Sequence, residues 1–192
     1  MINRDYYYTA AFDIGTPGQT RHLLVDTGSS WLWTWADDCP NPEIFSCEFD
    51  SVDILSPPRE RFHPNLSETF RYTGDEKLIE YGVGESSGPV ATDFVRMTEL
   101  PQVYASNFEF FVQMDVGSGK TDGIIGFAPR DESSGPLLVE YLYAQQTIPE
   151  QQFAVLMGHD QTEPSSLTLG GYDREGGEMY DSKYQAFTVH RV

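Results

Sequence analysis

A chain of 192 residues with 39% apolar and 14% aromatic content is long enough to bury a core and lies far from a disordered profile. Its formal charge of -18 argues against nucleic acid or an anionic membrane as partner, because both are held by basic patches. The same charge fits a protein made for acidic surroundings, where protonation relieves the repulsion, and equally a generally soluble acidic surface.

In chain order the pattern is one of short β segments. Tyr6 to Ile14 is rich in Tyr, Thr and Phe, and the turn Gly15-Thr16-Pro17-Gly18 joins it to a second strand, Gln19 to Asp26. Residues 30–35 alternate bulky and smaller side chains and read as a third strand. Residues 37–58 read as a loop. Leu78 to Gly84 reads as one arm of a hairpin, with Glu85-Ser86-Ser87-Gly88 turning it and Val90 to Met97 returning. Asn107 to Met114 is a further β run, and Asp122 to Phe127 is a short, very apolar strand with glycines on both sides. Leu137 to Gln146 alone has a helical pattern. Phe153 to Met157 and Ser166 to Leu169 are the last strands, ended by Gly170-Gly171. The expected fold class is all-β, with one or two short helices and no internal repeat.

No stretch has the apolar length of a membrane span, and Met1 to Asp5 has no signal-peptide core, so a signal for a secreted protein is expected outside this chain. Cys39 and Cys47 bracket a short Pro-containing loop. No second Cys or His pair stands at ligand spacing, so no metal is expected, and no cofactor either. A local disulfide, which would imply an oxidising compartment, and two free buried thiols are both open on spacing alone. Asn65-Leu66-Ser67 is a candidate glycosylation sequon.

The heptad Leu24-Val25-Asp26-Thr27-Gly28-Ser29-Ser30 is the most informative segment, and it occurs once. An apolar run delivers a carboxylate to a strand end and leads directly into small, hydroxyl-bearing residues. Gly28 allows close approach of backbone to the carboxylate, and Thr27 and Ser29 offer hydroxyl donors. Alone, the triplet Asp-Thr-Gly is an ordinary strand-end turn. Carboxylate acid/base chemistry also needs two such groups with separated protonation states.

The flanking motifs, in their order, resemble the pepsin-like aspartic proteases, specifically their N-terminal lobe. Phe12 to Pro17 resembles the entry hairpin, and Asp26 to Trp33 the catalytic loop with its following strand. Phe62 to Phe70 resembles the family's Phe-x-Pro…Ser-x-Thr-Phe segment. Tyr81-Gly82-Val83-Gly84 resembles the flap, Asp122 to Gly126 the apolar strand beneath the catalytic Asp, and Leu167 to Asp173 the closing hairpin. The resemblance implies a double-ψ-type β-barrel lobe over residues 1–180 and the start of an interlobe strand over 181–192, with the C-terminal lobe absent from this sequence. It implies that Asp26 is one of two catalytic aspartates activating a water for peptide hydrolysis. Thr27, Gly28 and Ser29 would support Asp26, Ser29 by bonding its outer oxygen and Thr27 by tying the active-site loops of two lobes together. Tyr81 would close over substrate with Trp33 bonding its hydroxyl, Gly82 and Gly84 would loosen the flap tip, and Ile124 would line the apolar floor. It favours a Cys39–Cys47 bridge.

Val83 stands where many relatives carry a hydroxyl residue, and the stretch Phe111 to Thr121 does not align with subsite residues. No second Asp-Thr-Gly or Asp-Ser-Gly is present, so a second lobe or partner chain would supply the other carboxylate, and the isolated chain is expected to be inactive. The expected partners are a polypeptide substrate and that lobe or chain, in an extracellular or acidic lumenal compartment such as a lysosome or vacuole. Two alternatives differ in class. One is a catalytically inactive pepsin-like protein that binds peptides or proteins, against which the intact Asp26, Ser29 and Tyr81 argue. The other is an unrelated acidic β-barrel or sandwich of a carbohydrate-binding type, supported only by β content and aromatics.

Overall fold

The computed structural model describes residues 1–4, 7–36, 61–82, 85–113, 121–130 and 134–172. Cys39, Cys47, Val83, Gly84 and residues 181–192 lie outside the described residues, as does the whole of the expected 37–58 loop.

The described strands are β1 (Ile2–Asn3), β2 (Tyr8–Ile14), β3 (Gln19–Asp26), β4 (Leu32–Trp35), β5 (Arg71–Glu80), β6 (Glu85–Met97), β7 (Tyr104–Gln113), β8 (Gly123–Gly126), β9 (Phe153–Leu156) and β10 (Ser166–Leu169). One helix, α1 (Leu138–Ala144), follows β8. Eight strands form one sheet in the order β1-β2-β3-β8-β4-β7-β6-β5, and β2 also pairs with β6. That pairing closes β2, β3, β8, β4, β7 and β6 into a barrel, an all-β, pepsin-like lobe. The β3–β8 and β4–β7 pairs are parallel; the other pairs are antiparallel. β9 and β10 form a separate two-stranded sheet.

The barrel interior is filled by Phe12, Ile14, Leu23, Leu32, Phe62, Phe108, Phe110 and Ile125, all fully buried. All but Phe62, which makes an isolated bridge to Ala36, come from strands whose apolar residues are wide and β-favouring, which suits a pleated, packed surface. Helix α1 buries Leu138, Val139 and Leu142 and sets Tyr141 edge-on to Phe108, with ring centroids 5.0 Å apart. At seven residues it depends on this packing more than on intrinsic propensity.

Three expectations need correction. Glu85-Ser86-Ser87-Gly88 does not turn the hairpin; these residues open β6, pairing with Glu80, Ile79, Leu78 and Lys77, so the turn falls between Glu80 and Glu85. Ser86 is buried there, and a Cβ on Gly88 would stand 1.9 Å from the Val112 carbonyl oxygen. Gly88 is present for backbone approach to β7, not for a turn. The first hairpin arm begins at Arg71, not Leu78. Residues 71–77 form an edge strand that exposes most of its side chains and carries a register shift between Tyr72 and Glu76, so no apolar alternation marks it. β7 likewise begins at Tyr104, ahead of Asn107.

The barrel seam is polar. Asp13 of β2 stands opposite Thr20 of β3 and Arg96 of β6. Its buried carboxylate accepts from Thr20 Oγ1 at 2.7 Å, Thr98 Oγ1 at 2.8 Å and Arg96 Nε at 3.0 Å. Burial pushes the Asp13 carboxyl up, but the hydrogen bonds from Thr20, Thr98 and Arg96, with the Arg96 charge, outweigh it and hold the group below the ordinary carboxylate value. A depressed folded-state pKa stabilises above the unfolded-state pKa and is lost as pH falls through the folded one. The seam therefore stays ionised into mildly acidic conditions. Asp13→Asn is expected to cost about 2 kcal/mol of unfolding free energy at pH 6, a value that allows for the partly exposed Arg96. Urea unfolding should show the deficit at pH 6 and a smaller one below the ordinary carboxylate range.

Candidate active site

The site follows from a crossing. β8 lies between β3 on one side, in parallel, and β4 on the other, antiparallel, with Leu24, Val25 and Asp26 opposite Ile124, Ile125 and Gly126. The chain leaving β3 at Asp26 must therefore pass over the end of β8 to begin β4. Residues 27–31 make that passage, and the segment after β8 fastens it. Phe127 N–H donates to the Asp26 carbonyl at 2.7 Å, Ala128 N–H to that of Ser29 at 2.9 Å, and Gly126 N–H to that of Trp31 at 3.0 Å. The approach is close: a Cβ on Gly126 would sit 2.4 Å from the Ser29 carbonyl oxygen and 2.5 Å from the Ser30 carbonyl carbon.

At the start of this passage the half-buried Asp26 side chain turns toward its own loop. Gly28 N–H donates to Asp26 Oδ1 at 2.9 Å, and a Cβ on Gly28 would crowd that oxygen at 3.3 Å. Thr27 is exposed. Ser29 Oγ is buried and makes no hydrogen bond, to Asp26 or to another group, among the described residues. It lies beside the Tyr81 hydroxyl, where it favours the ionised phenol without reaching hydrogen-bonding geometry.

Tyr81 follows directly on β5, and Trp33 Nε1 donates to its hydroxyl at 2.9 Å. Burial pushes the Tyr81 phenol above its ordinary value. The Trp33 and Ser29 groups oppose that rise, and the Asp26 carboxylate adds to it. Asp26, Ser29, Trp33 and Tyr81 thus share one electrostatic neighbourhood, although the hairpin and the Asp26 loop are about fifty residues apart in the chain. Gly82, next in the hairpin, is exposed.

A second apolar cluster, distinct from the barrel interior, lies under this hairpin. It contains Trp31, Trp33, Trp35, Val90 and Phe111, with half-buried Ile79 and Ile124 packed against it. Trp33 meets Trp35 edge-on at 5.4 Å and stacks on Phe111 at 6.2 Å. Ile124 is therefore placed between the Asp26 strand and the hairpin. Phe111, Val90 and Ile79 were not legible as members of this cluster. The signal was topological: Phe111 is the register partner of Trp33 in the parallel β4–β7 pair, and sequence separation hides it.

Asn65 is exposed on a 3-10 turn, Pro64–Leu66. Its sequon hydroxyl is already used, since Ser67 Oγ accepts the Thr16 N–H at 3.0 Å. Among the described residues no helix is long and apolar enough to cross a membrane.

Comparison with known proteins agrees with this geometry. The model of the family described as eukaryotic aspartyl protease matches residues 7–190, and the chain belongs to that family. It is 32% identical over 178 residues to cathepsin E of Cavia porcellus, covering 88% of this chain and 41% of the relative. It is 32% identical over 172 residues to pregnancy-associated glycoprotein 4 of Ovis aries, covering 88% and 42%. It is 29% identical over 180 residues to the vacuolar aspartic protease of Candida albicans, covering 90% and 39%. The chain thus spans about two-fifths of the length of the curated relatives it matches.

The crossing gives a direct test. In Gly126→Ala the new methyl meets backbone atoms that have little room to move, so the variant should lose about 2–3 kcal/mol of stability, read by thermal unfolding. A variant with wild-type stability would show that the passage over β8 is looser than described.

Proposed function

We propose that this protein is an aspartic endopeptidase in which Asp26 is one of two carboxylates that activate a water against a peptide carbonyl. The observation that carries this reading is the Asp26 carboxylate, held by the Gly28 N–H beside a tyrosine-bearing hairpin that Trp33 anchors at 2.9 Å. Two carboxylates at close range share a proton, so one takes the water's proton while the other donates to the carbonyl oxygen. The sequence has one Asp-Thr-Gly, so the second carboxylate is assigned to a second lobe or to a partner chain. In this reading residues 1–180 act as the first lobe and 181–192 lead toward the second. The exposed Thr27 would bond the matching loop of that lobe.

Tyr81, Gly82, Val83 and Gly84 would form the lid over a polypeptide substrate. The aromatic cluster with Ile79 and Ile124 favours bulky apolar residues beside the cleaved bond. A Cys39–Cys47 bridge and a glycan on Asn65 would suit a secreted or acidic lumenal protein. The charge of -18 and the name of the vacuolar relative from Candida albicans support the same setting.

The test is hydrolysis of a denatured protein substrate by the full-length protein at about pH 3–5, the range in which carboxylate pairs share one proton. Asp26→Asn should lower the rate by at least about 10²–10⁴-fold while leaving the thermal unfolding transition in place. Undiminished hydrolysis by that variant would remove Asp26 from the mechanism. A folded wild-type protein that binds peptides without cutting them would favour the inactive binding homologue.

A further inference from the structure

Along β5 the residues Lys77 and Ile79 are half-buried while Glu76, Leu78 and Glu80 are exposed. Lys77, Ile79 and the following Tyr81 therefore share the inner face of the hairpin. Tyr81 meets Trp33 on that face. Lys77 meets Trp31: its Nζ lies over the indole face, 4.9 Å from the ring centroid. This is within the distance at which an ammonium is attracted by the negative face of an aromatic ring.

The receiving ring is held firmly. Trp31 is buried, lies edge-on to Phe111 at 6.0 Å, and packs so closely on Gly135 that a Cβ there would sit 2.5 Å from ring atoms. Trp31 also belongs to the passage over β8, through the Gly126 N–H bond to its carbonyl. The hairpin thus touches two tryptophans, one just before β4 and one within it, by a cation on Trp31 and a hydroxyl on Trp33. Both reach the same Phe111.

The charge is unusual for its place. The chain carries 30 acidic and 12 basic side chains, and Lys77 makes no ion pair among the described residues. The hairpin carboxylates Glu76, Glu80 and Glu85 lie on its exposed face, and the segment entering β4 and the strand β7 present the aromatic rings of Trp31 and Phe111 to the inner one. An ammonium keeps its charge throughout the acid range, where carboxylates lose theirs. A contact between cation and ring is therefore insensitive to acid in a way that a salt bridge is not.

We propose that Lys77 is a positioning residue, which holds the base of the flap hairpin on Trp31 and thereby sets how far Tyr81 stands from Asp26, by a contact that persists at acid pH. The proposal rests on the protease reading for its consequence in turnover, but not for the contact itself. The test uses the full-length protein with Lys77→Met, which keeps the apolar stem and removes the charge, and Lys77→Arg, which restores a cation able to stack on the ring.

Hydrogen exchange of the backbone amides in residues 78–82 and 85–88 should be about two- to fivefold faster in Lys77→Met at both pH 4 and pH 7, with other strands unchanged, and should return to the wild-type rate in Lys77→Arg. With a peptide substrate, Lys77→Met should raise KM by a similar factor and leave kcat nearly constant. Exchange in Lys77→Met equal to wild type would overturn the proposal. So would Lys77→Arg as loose as Lys77→Met, or an effect present at pH 7 and lost at pH 4, which would assign Lys77 to a carboxylate. Exchange is read without substrate, so a protein that cleaves no peptide overturns the protease reading while this test still decides the contact.

Discussion

The candidate site in this chain depends on one close backbone approach, that of Gly126 to the Ser29–Ser30 peptide. Because β8 runs parallel to β3 and antiparallel to β4, the two strands on either side of it are joined by a loop that must cross its end. No side chain fits at the crossing. Three backbone hydrogen bonds then fix the loop from the far side, and the Asp26 side chain is left at its edge with the Gly28 N–H as donor. The carboxylate is placed by main-chain geometry, which does not titrate. Under the proposed mechanism, that suits a carboxylate that exchanges a proton with water.

The barrel and the hairpin are stabilised by different means. The barrel has a phenylalanine-rich interior and a polar seam at Asp13, where β2 closes on β6. The hairpin rests on a smaller cluster of tryptophans that face away from that interior. Its β5 arm makes few buried contacts of its own, because β5 is an edge strand with mostly exposed side chains. Elements of this kind open at lower cost than the core, which is what a lid requires. Trp33 links the two regions. It belongs to β4 within the closed barrel, and its indole N–H reaches the Tyr81 hydroxyl.

The parts of the fold legible in the sequence were those in which local pattern and tertiary role agree. Among the described residues, β2, β3, β4, β8, β9, β10 and helix α1 lie where hydrophobic pattern and turn residues put them, within the usual drift at element ends. β5 was half missed because an edge strand has no buried face to impose alternation. Ser86 to Gly88 was misread because serine and glycine report turn chemistry and close packing in the same letters. At the site, the Asp26 loop, Tyr81 and Trp33 were readable because their motifs are local. Phe111 and Lys77 were not, since each is brought to the tryptophans by strand pairing or hairpin docking across long stretches of chain.

The central claim is that Asp26 and the hairpin above it form one site for a peptide. The most direct measurement is a crystal structure of the full-length protein with a peptide in which a hydroxyethylene unit replaces the scissile amide. The account predicts that the hydroxyl lies within about 3 Å of an Asp26 carboxylate oxygen, with Tyr81 folded over the neighbouring side chains. A peptide bound elsewhere, or one lying in the cleft with its hydroxyl out of reach of Asp26, would contradict it.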